Sequence, residues 1–391
     1  MEIYVGIDVA KETHWACALD PSARVLLARA VDNDQAAIER FVADLRGLGG
    51  EVLVGLDITG SLARFLEAIL LAEGLRLVHV PGIAVNRAGQ GFAGGERKSD
   101  PRDARTIAEL VRTRDLRPIL PDDETVIALR LKVTRRRELS DDQTRRVSRM
   151  RQLLGAIHPG LERRLDLTGK GPLVLIARYV TPAEIRRAGL KRLVTHLKRT
   201  PHLHAAEALA QRALEAAEGQ RIVVTGEAVF ADMIRELAAE ALQARAAIAR
   251  IDRDLALLDR HSDGALIRSL PGMGAVLSAE LIANVGTIER FHSADALASA
   301  AGLAPIIRKS GKSWNWRRAN GGDKALKRVF FQSAFCAVST RDPLSKAFYD
   351  RKRREGKHHT QAIIALARRR VTVLWTMLKT RQSFDPVKKA A

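Results

Sequence analysis

Four aspartates stand where a carboxylate is costly unless something binds it. Asp8 ends an apolar run, Val5-Gly6-Ile7-Asp8-Val9, and Asp57 ends another, Val54-Gly55-Leu56-Asp57. A charge in such a setting needs a partner charge or a metal. Asp100 and Asp103 follow in Lys98-Ser99-Asp100-Pro101-Arg102-Asp103-Ala104-Arg105, three apart near a helix start, a spacing that puts both on one helical face. Taken singly, Asp8 and Asp57 read as strand-end turns and Asp100 and Asp103 as helix caps. Drawn together the four would repel one another. A hard divalent cation, Mg²⁺ or Mn²⁺, would relieve that repulsion with oxygen ligands and leave room for a substrate phosphate. Two such ions stabilise the attacking and leaving oxygens of a phosphodiester displacement.

A second constellation lies near the C-terminus. Ser310 sits among cations in Arg308-Lys309-Ser310-Gly311-Lys312-Ser313, followed by Trp314-Asn315-Trp316-Arg317-Arg318. Positive charge around a serine would stabilise a phosphorane-like transition state, and the hydroxyl would then form a phosphoserine link. The other reading is a basic loop that grips backbone through Arg308, Lys309, Lys312, Arg317 and Arg318 and stacks bases on Trp314 and Trp316. Upstream, Leu270-Pro271-Gly272-Met273-Gly274 between two helical segments resembles a helix-hairpin-helix turn, in which Gly272 and Gly274 would offer backbone N–H groups to a phosphate; an ordinary helix–helix turn is the alternative. Arg351, Arg353 and Arg354, with Arg368–Arg370, read as phosphate contacts or as a solvated helix face. His202, His204, His358 and His359 lack cysteine or acidic partners at zinc spacing and read as surface histidines.

These residues need elements to place them. Apolar, β-rich runs at Ile3–Val9, Thr13–Leu19 and Arg24–Val31 predict three strands in quick succession. A helix capped by Asp34, a strand at Glu51–Asp57, a helix at Leu62–Glu73 and a strand at Leu75–Val80 follow. The order β-β-β-α-β-α-β is that of a ribonuclease-H-like domain. The Gly-rich stretch Gly89–Gly95 reads as a loop beside the metal site. Helical patterns over residues 122–161 and 227–260 predict an antiparallel pair forming a structural arm. The expected fold is therefore α/β plus all-α, in three parts: a ribonuclease-H-like carboxylate domain (1–118), a coiled-coil-like helical arm (119–262), and a mostly helical, basic C-terminal domain (263–391).

Charge supports a division of labour. The 391 residues carry a net charge of +20, but residues 1–110 hold −4 and residues 301–391 hold +17. A basic tail suits a polyanion and an acidic head suits cations. No apolar run is long enough to span a membrane, the N-terminus lacks signal-peptide character, and two distant cysteines exclude a disulfide framework. A reducing, cytoplasmic setting is expected.

Several motifs together resemble those of the IS-one-ten family of insertion-sequence transposases, which includes the Piv DNA invertases. Val5-Gly6-Ile7-Asp8-Val9-Ala10-Lys11 looks like the family's opening, and Lys98-Ser99-Asp100 with Asp103-Ala104 like its third motif. Leu270–Gly274, Phe291, Ala301–Pro305 and Ser310-Gly311 match its C-terminal domain in order. The resemblance implies an Asp-Glu-Asp-Asp metal tetrad on a RuvC-like fold, falling on Asp8, Asp57, Asp100 and Asp103. Asp57, in Asp57-Ile58-Thr59-Gly60, stands where the family has Glu and is one methylene shorter. The resemblance places the catalytic serine at Ser310, with Ser313 a neighbour. It implies strand exchange on DNA through a covalent serine–DNA intermediate, dimers or tetramers, an element-encoded guide RNA, and a place at the bacterial nucleoid. Two other readings remain from the residues: a RuvC-like nuclease that uses water, and a nonenzymatic nucleic-acid-binding protein.

Overall fold

The computed structural model describes residues 1–58, 60, 62–90, 99–119, 123–255, 258, 261–310, 313–317 and 321–386, and for residues 306–310, 313, 314, 316 and 317 the backbone alone. The chain forms two compact units, Met1–Asp123 and Glu124–Ala391.

In the first unit the elements run β1 (Glu2–Asp8), β2 (Thr13–Leu19), β3 (Val25–Asp32), α1 (Gln35–Gly47), β4 (Glu51–Leu56), α2 (Arg64–Ala72), β5 (Arg76–His79), α3 (Gly82–Gln90), α4 (Asp100–Thr113) and β6 (Arg117–Ile119). The sheet order is β3-β2-β1-β4-β5-β6. Strands β1, β2 and β3 are antiparallel neighbours, whereas β1, β4 and β5 run parallel. This is the ribonuclease-H-like order expected from the sequence, with one addition. Strand β6 lies antiparallel to β5 at the sheet edge and contains Pro118 opposite Val78. Proline reads as a break because it cannot donate to a ladder, yet an edge strand has an outer side that needs no donor.

Alternation sorts the side chains of the central strands. Ile3, Val5 and Ile7 of β1, with Val52, Val54 and Leu56 of β4, share a core with Ile38, Phe41 and Leu45 of α1 and Leu66 and Leu70 of α2. Tyr4, Gly6 and Asp8 therefore face the other side, as do Leu53, Gly55 and, by continuation, Asp57. Helix α4 covers that side. Its start follows from Ser99 in extended backbone, Pro101 in the first turn and two aspartates in the same turn, where the helix dipole favours negative charge.

In the second unit the helices are α5 (Glu124–Ile157), α6 (Pro159–Glu162), α7 (Lys170–Ile176), α8 (Pro182–Lys198), α9 (Ala206–Glu218), α10 (Glu227–Asp254), α11 (Gly264–Ser269), α12 (Ala275–Val285), α13 (Ala294–Ala300), α14 (Lys324–Ser339), α15 (Pro343–Arg354) and α16 (His359–Thr380). Strands β7 (Ile306–Ser310) and β8 (Ser313–Arg317) form an antiparallel hairpin between α13 and α14. Helices α5 and α10 pair antiparallel, as expected: Lys132 meets Asp254 at 2.5 Å, Arg136 meets Asp252 at 2.5 Å, and Arg146 meets Glu240 at 2.8 Å. Partner numbers fall as α5 numbers rise. Two apolar cores build up along this pair. One gathers Val147–Ile157 of α5 with α7, α8, α9 and the first half of α10. The other joins Val126, Leu129 and Val133 of α5 to α12, α14 and α16.

Candidate functional site

The carboxylate site is built by two glycines. A Cβ on Gly6 would lie 2.2 Å from the Ala104 carbonyl oxygen and 2.3 Å from the Ala108 nitrogen; one on Gly55 would lie 2.3 Å from Val111 Cγ2. Helix α4 thus rests directly on the backbones of β1 and β4. Two residues further along each strand, on the same face, come Asp8 and Asp57. Ile7 and Leu56 are register partners, so the two aspartates end adjacent parallel strands. The first turn of α4 supplies Asp103, half-buried, and Asp100, exposed.

Electrostatics tie Asp57 to Asp103, and a hydrogen bond ties Asp57 to the residue that follows Asp8. The Asp57 carboxylate accepts from the Val9 backbone N–H at 3.2 Å, next to Asp8. Burial pushes the Asp57 carboxyl above the usual carboxylate range; the backbone N–H groups of Val9, Asp57 and Ile58 oppose that, and the Asp103 carboxylate pushes it up further. A carboxylate that is partly desolvated and repelled by a second one is held in an unfavourable state that a cation would relieve. Hard oxygen donors of this kind suit Mg²⁺ or Mn²⁺. Among the described residues no group of three or more His, Cys, Asp or Glu side chains is gathered closely enough to hold an ion alone.

Two histidines that the sequence reading passed over support this end of the sheet. His79 ends β5, the third parallel strand, and donates to the Asp57 backbone carbonyl; burial first and Arg117 second lower its pKa, opposed by Asp57. His14, 1% exposed, accepts from the Ala10 N–H at 3.2 Å and so fixes the chain just beyond Asp8. The signal for His79 was its place at the end of an apolar strand, the same signal that marks Asp8 and Asp57.

In the second unit, Ser310 ends β7 and pairs with Ser313, which begins β8. The stretch read as a loop forms two paired strands. Backbone positions of Arg308, Lys309, Trp314, Trp316 and Arg317 fall on these strands; Lys312 and Arg318 lie outside the described residues, as do residues 91–95 of the Gly-rich stretch.

The Leu270–Gly274 turn connects α11 and α12. Gly272 has φ +80°, and a Cβ there would lie 2.5 Å from the Ser333 carbonyl oxygen and 2.8 Å from the Ala337 nitrogen. Its glycine is explained by a left-handed backbone pressed against α14. Gly274 faces open space and precedes the first turn of α12. Arg370, 4% exposed, holds this turn in place. Its guanidinium donates to the Pro271 carbonyl and, at 2.8 and 3.0 Å, to Ser333 Oγ. Burial lowers the Arg370 pKa to about 10, so it is charged at neutral pH. Arg370→Met should cost about 3 kcal/mol, because it leaves the half-buried Pro271 carbonyl and the buried Ser333 hydroxyl without this donor. Urea unfolding monitored by circular dichroism would register this as a lower midpoint.

Of the α15 arginines, Arg351 lies 5.1 Å over the Phe348 ring and 3.7 Å from Glu355. Arg353 donates to the Lys357 carbonyl at 2.7 Å, and Arg354 is exposed.

Comparison with known proteins identifies the family. Residues 5–159 match the transposase family model DEDD_Tnp_IS110, and residues 264–350 match the Transposase IS116/IS110/IS902 family. The chain is 41% identical to the insertion element IS116 uncharacterized 44.8 kDa protein of Streptomyces clavuligerus, over 98% of this chain and 96% of that protein. It is 33% identical to the pilin gene-inverting protein of Moraxella bovis over 31% of this chain and 38% of that one. The solved structure of T. thermophilus RuvC in complex with Holliday junction substrate matches 30% of this chain and 100% of that one, at 21% identity and a TM-score of 0.24. No described helix is long and apolar enough to cross a membrane. The chain belongs to the IS110/IS116/IS902 family of transposases.

Proposed function

We propose that this transposase exchanges DNA strands by a serine mechanism, with Asp8, Asp57, Asp100 and Asp103 holding Mg²⁺ or Mn²⁺ and Ser310 as nucleophile. The observation that carries the metal reading is the Asp57 carboxyl, repelled by Asp103 at the end of a strand adjoining that of Asp8. When bound, the ion neutralises charge on the scissile phosphate. Asp8 and Asp57 hold it from the sheet and Asp103 from the helix, while the helix dipole at Asp100 tempers their mutual repulsion. Ser310 Oγ forms a bond to phosphorus as the bond to one sugar oxygen breaks; Oγ gives up its proton and the departing oxygen takes one up. A hydroxyl of the second strand then attacks the phosphoserine and releases the serine.

The basic face of the second unit, including Arg351, Arg353 and Arg354, binds nucleic-acid backbone, and Gly274 offers its turn to a phosphate. In this reading the protein works as a dimer or tetramer with an element-encoded guide RNA, in the cytoplasm at the nucleoid. Ser310→Ala tests the mechanism. Strand exchange and the protein–DNA adduct trapped by denaturation should both disappear. Cleavage that survives in Ser310→Ala would instead establish a nuclease that uses water.

A further inference from the structure

Aromatic residues make up only 4% of this chain, and three of its rings meet on one exposed face of the second unit. Phe335 of α14 is 40% exposed, a poor place for a phenyl ring with no partner. Its centroid lies 6.3 Å from the ring of His359, at an interplanar angle of 87°. Tyr349 of α15 stands 5.7 Å from the same imidazole at 72°, and its hydroxyl hydrogen-bonds His359 Nδ1 at 2.8 Å. One imidazole at the start of α16 therefore carries two rings set steeply against it. The hydrogen bond and three separate helices hold the group in place.

The charges around this corner select the ligand. Lys346 lies 5.8 Å over the Tyr349 ring. Asp350 pairs with Lys346 at 2.5 Å and Glu355, just past α15, with Lys352 at 2.7 Å, and residues 351–357 hold five cations against that one carboxylate, Arg353 and Lys357 among them. A cation would find aromatic faces here but no free negative charge. A flat ring carrying a phosphate would find both stacking surface and positive neighbours.

We propose that Phe335, Tyr349 and His359 form a stacking platform for unpaired bases of a single-stranded nucleic acid. This rests on the transposase reading only in taking the polyanion to be nucleic acid. Duplex bases are already stacked, so the platform discriminates by strandedness, while the neighbouring arginines bind either form through phosphate.

The test uses the full chain and fluorescence anisotropy with three probes: an oligothymidine about 20 nucleotides long, the same backbone with abasic sites, and a duplex of equal length. Phe335→Ala and His359→Ala are exposed changes outside the cores and should leave the thermal midpoint in place. Each should weaken oligothymidine binding about tenfold and leave duplex and abasic binding unchanged. A 5-iodouracil probe should photo-crosslink to peptides containing Phe335 or Tyr349. Equal loss on all three probes, or no loss on oligothymidine, would overturn the platform. A parent that binds duplex but not single strand would also overturn it and leave the transposase reading intact. A parent that binds no nucleic acid would overturn both.

Discussion

Asp103→Asn is expected to slow strand cleavage roughly 10²–10³-fold while leaving the fold almost untouched. The substitution removes one carboxylate from a site where charge stabilisation of the scissile phosphate is worth several kcal/mol. At 1.36 kcal/mol per decade, a loss of about 3–4 kcal/mol slows cleavage roughly 10²–10³-fold. Stability responds to two smaller and opposed effects. Asp103 sits in the first turn of α4, where a negative charge contributes about 0.3–1 kcal/mol. It also raises the proton affinity of Asp57, so removing it relieves a repulsion. The two nearly offset, and the thermal midpoint should move by no more than about 4 °C. Adding Mg²⁺ should raise the midpoint of the parent by mass action and that of Asp103→Asn by much less. Differential scanning fluorimetry with and without Mg²⁺, beside a nicking assay on supercoiled DNA, measures both. Parent-like cleavage by Asp103→Asn would remove this aspartate from the active site.

The strand ends that carry Asp8 and Asp57 were legible in the sequence because their signal is local. A glycine two residues before an aspartate, at the end of an apolar strand, occurs in Gly6-Ile7-Asp8 and again in Gly55-Leu56-Asp57. The structure adds the reason for the glycines, which is the seat of α4, and those contacts join residues about fifty to a hundred positions apart. Nothing local could show it. His79 carried the same strand-end signal without a carboxylate and so went unread. Strand β6 is three residues long and contains proline, and only its place at an edge makes it a strand. The hairpin around Ser310 was hidden for a related reason. Its cations and tryptophans describe a surface that binds nucleic acid, whereas pairing depends on the ladder between β7 and β8. Gly272 was read for its N–H, but its conformation and close packing against α14 depend on residues 60 positions away. Composition thus revealed chemistry, while placement needed contacts distant in sequence.

Gly6→Ala should couple those two levels in one experiment. The added methyl meets backbone on three sides: the Ala104 oxygen at 2.2 Å, the Ala108 nitrogen at 2.3 Å and the Ile107 carbonyl carbon at 2.9 Å. None of these can rotate aside, so α4 must lift from β1. Overpacking of this kind costs typically about 1–3 kcal/mol, and here it falls at the upper end. Asp103 belongs to the same helix and moves with it, and a shift of about 1 Å at a catalytic group can cost roughly 10²-fold in rate. Gly55→Ala is the matched control. Its nearest atoms are Val111 Cγ2 at 2.3 Å, Val80 Cγ2 at 3.0 Å and Ile107 Cγ2 at 3.2 Å, all on side chains. Rotamer changes absorb part of that clash, so stability should fall less and cleavage should largely survive. Cleavage rates and thermal midpoints for the two variants should therefore rank Gly6→Ala well below Gly55→Ala on both scales. If Gly6→Ala kept parental cleavage and stability, α4 would not be seated on β1 as described, and Asp103 would lose its route to Asp8 and Asp57.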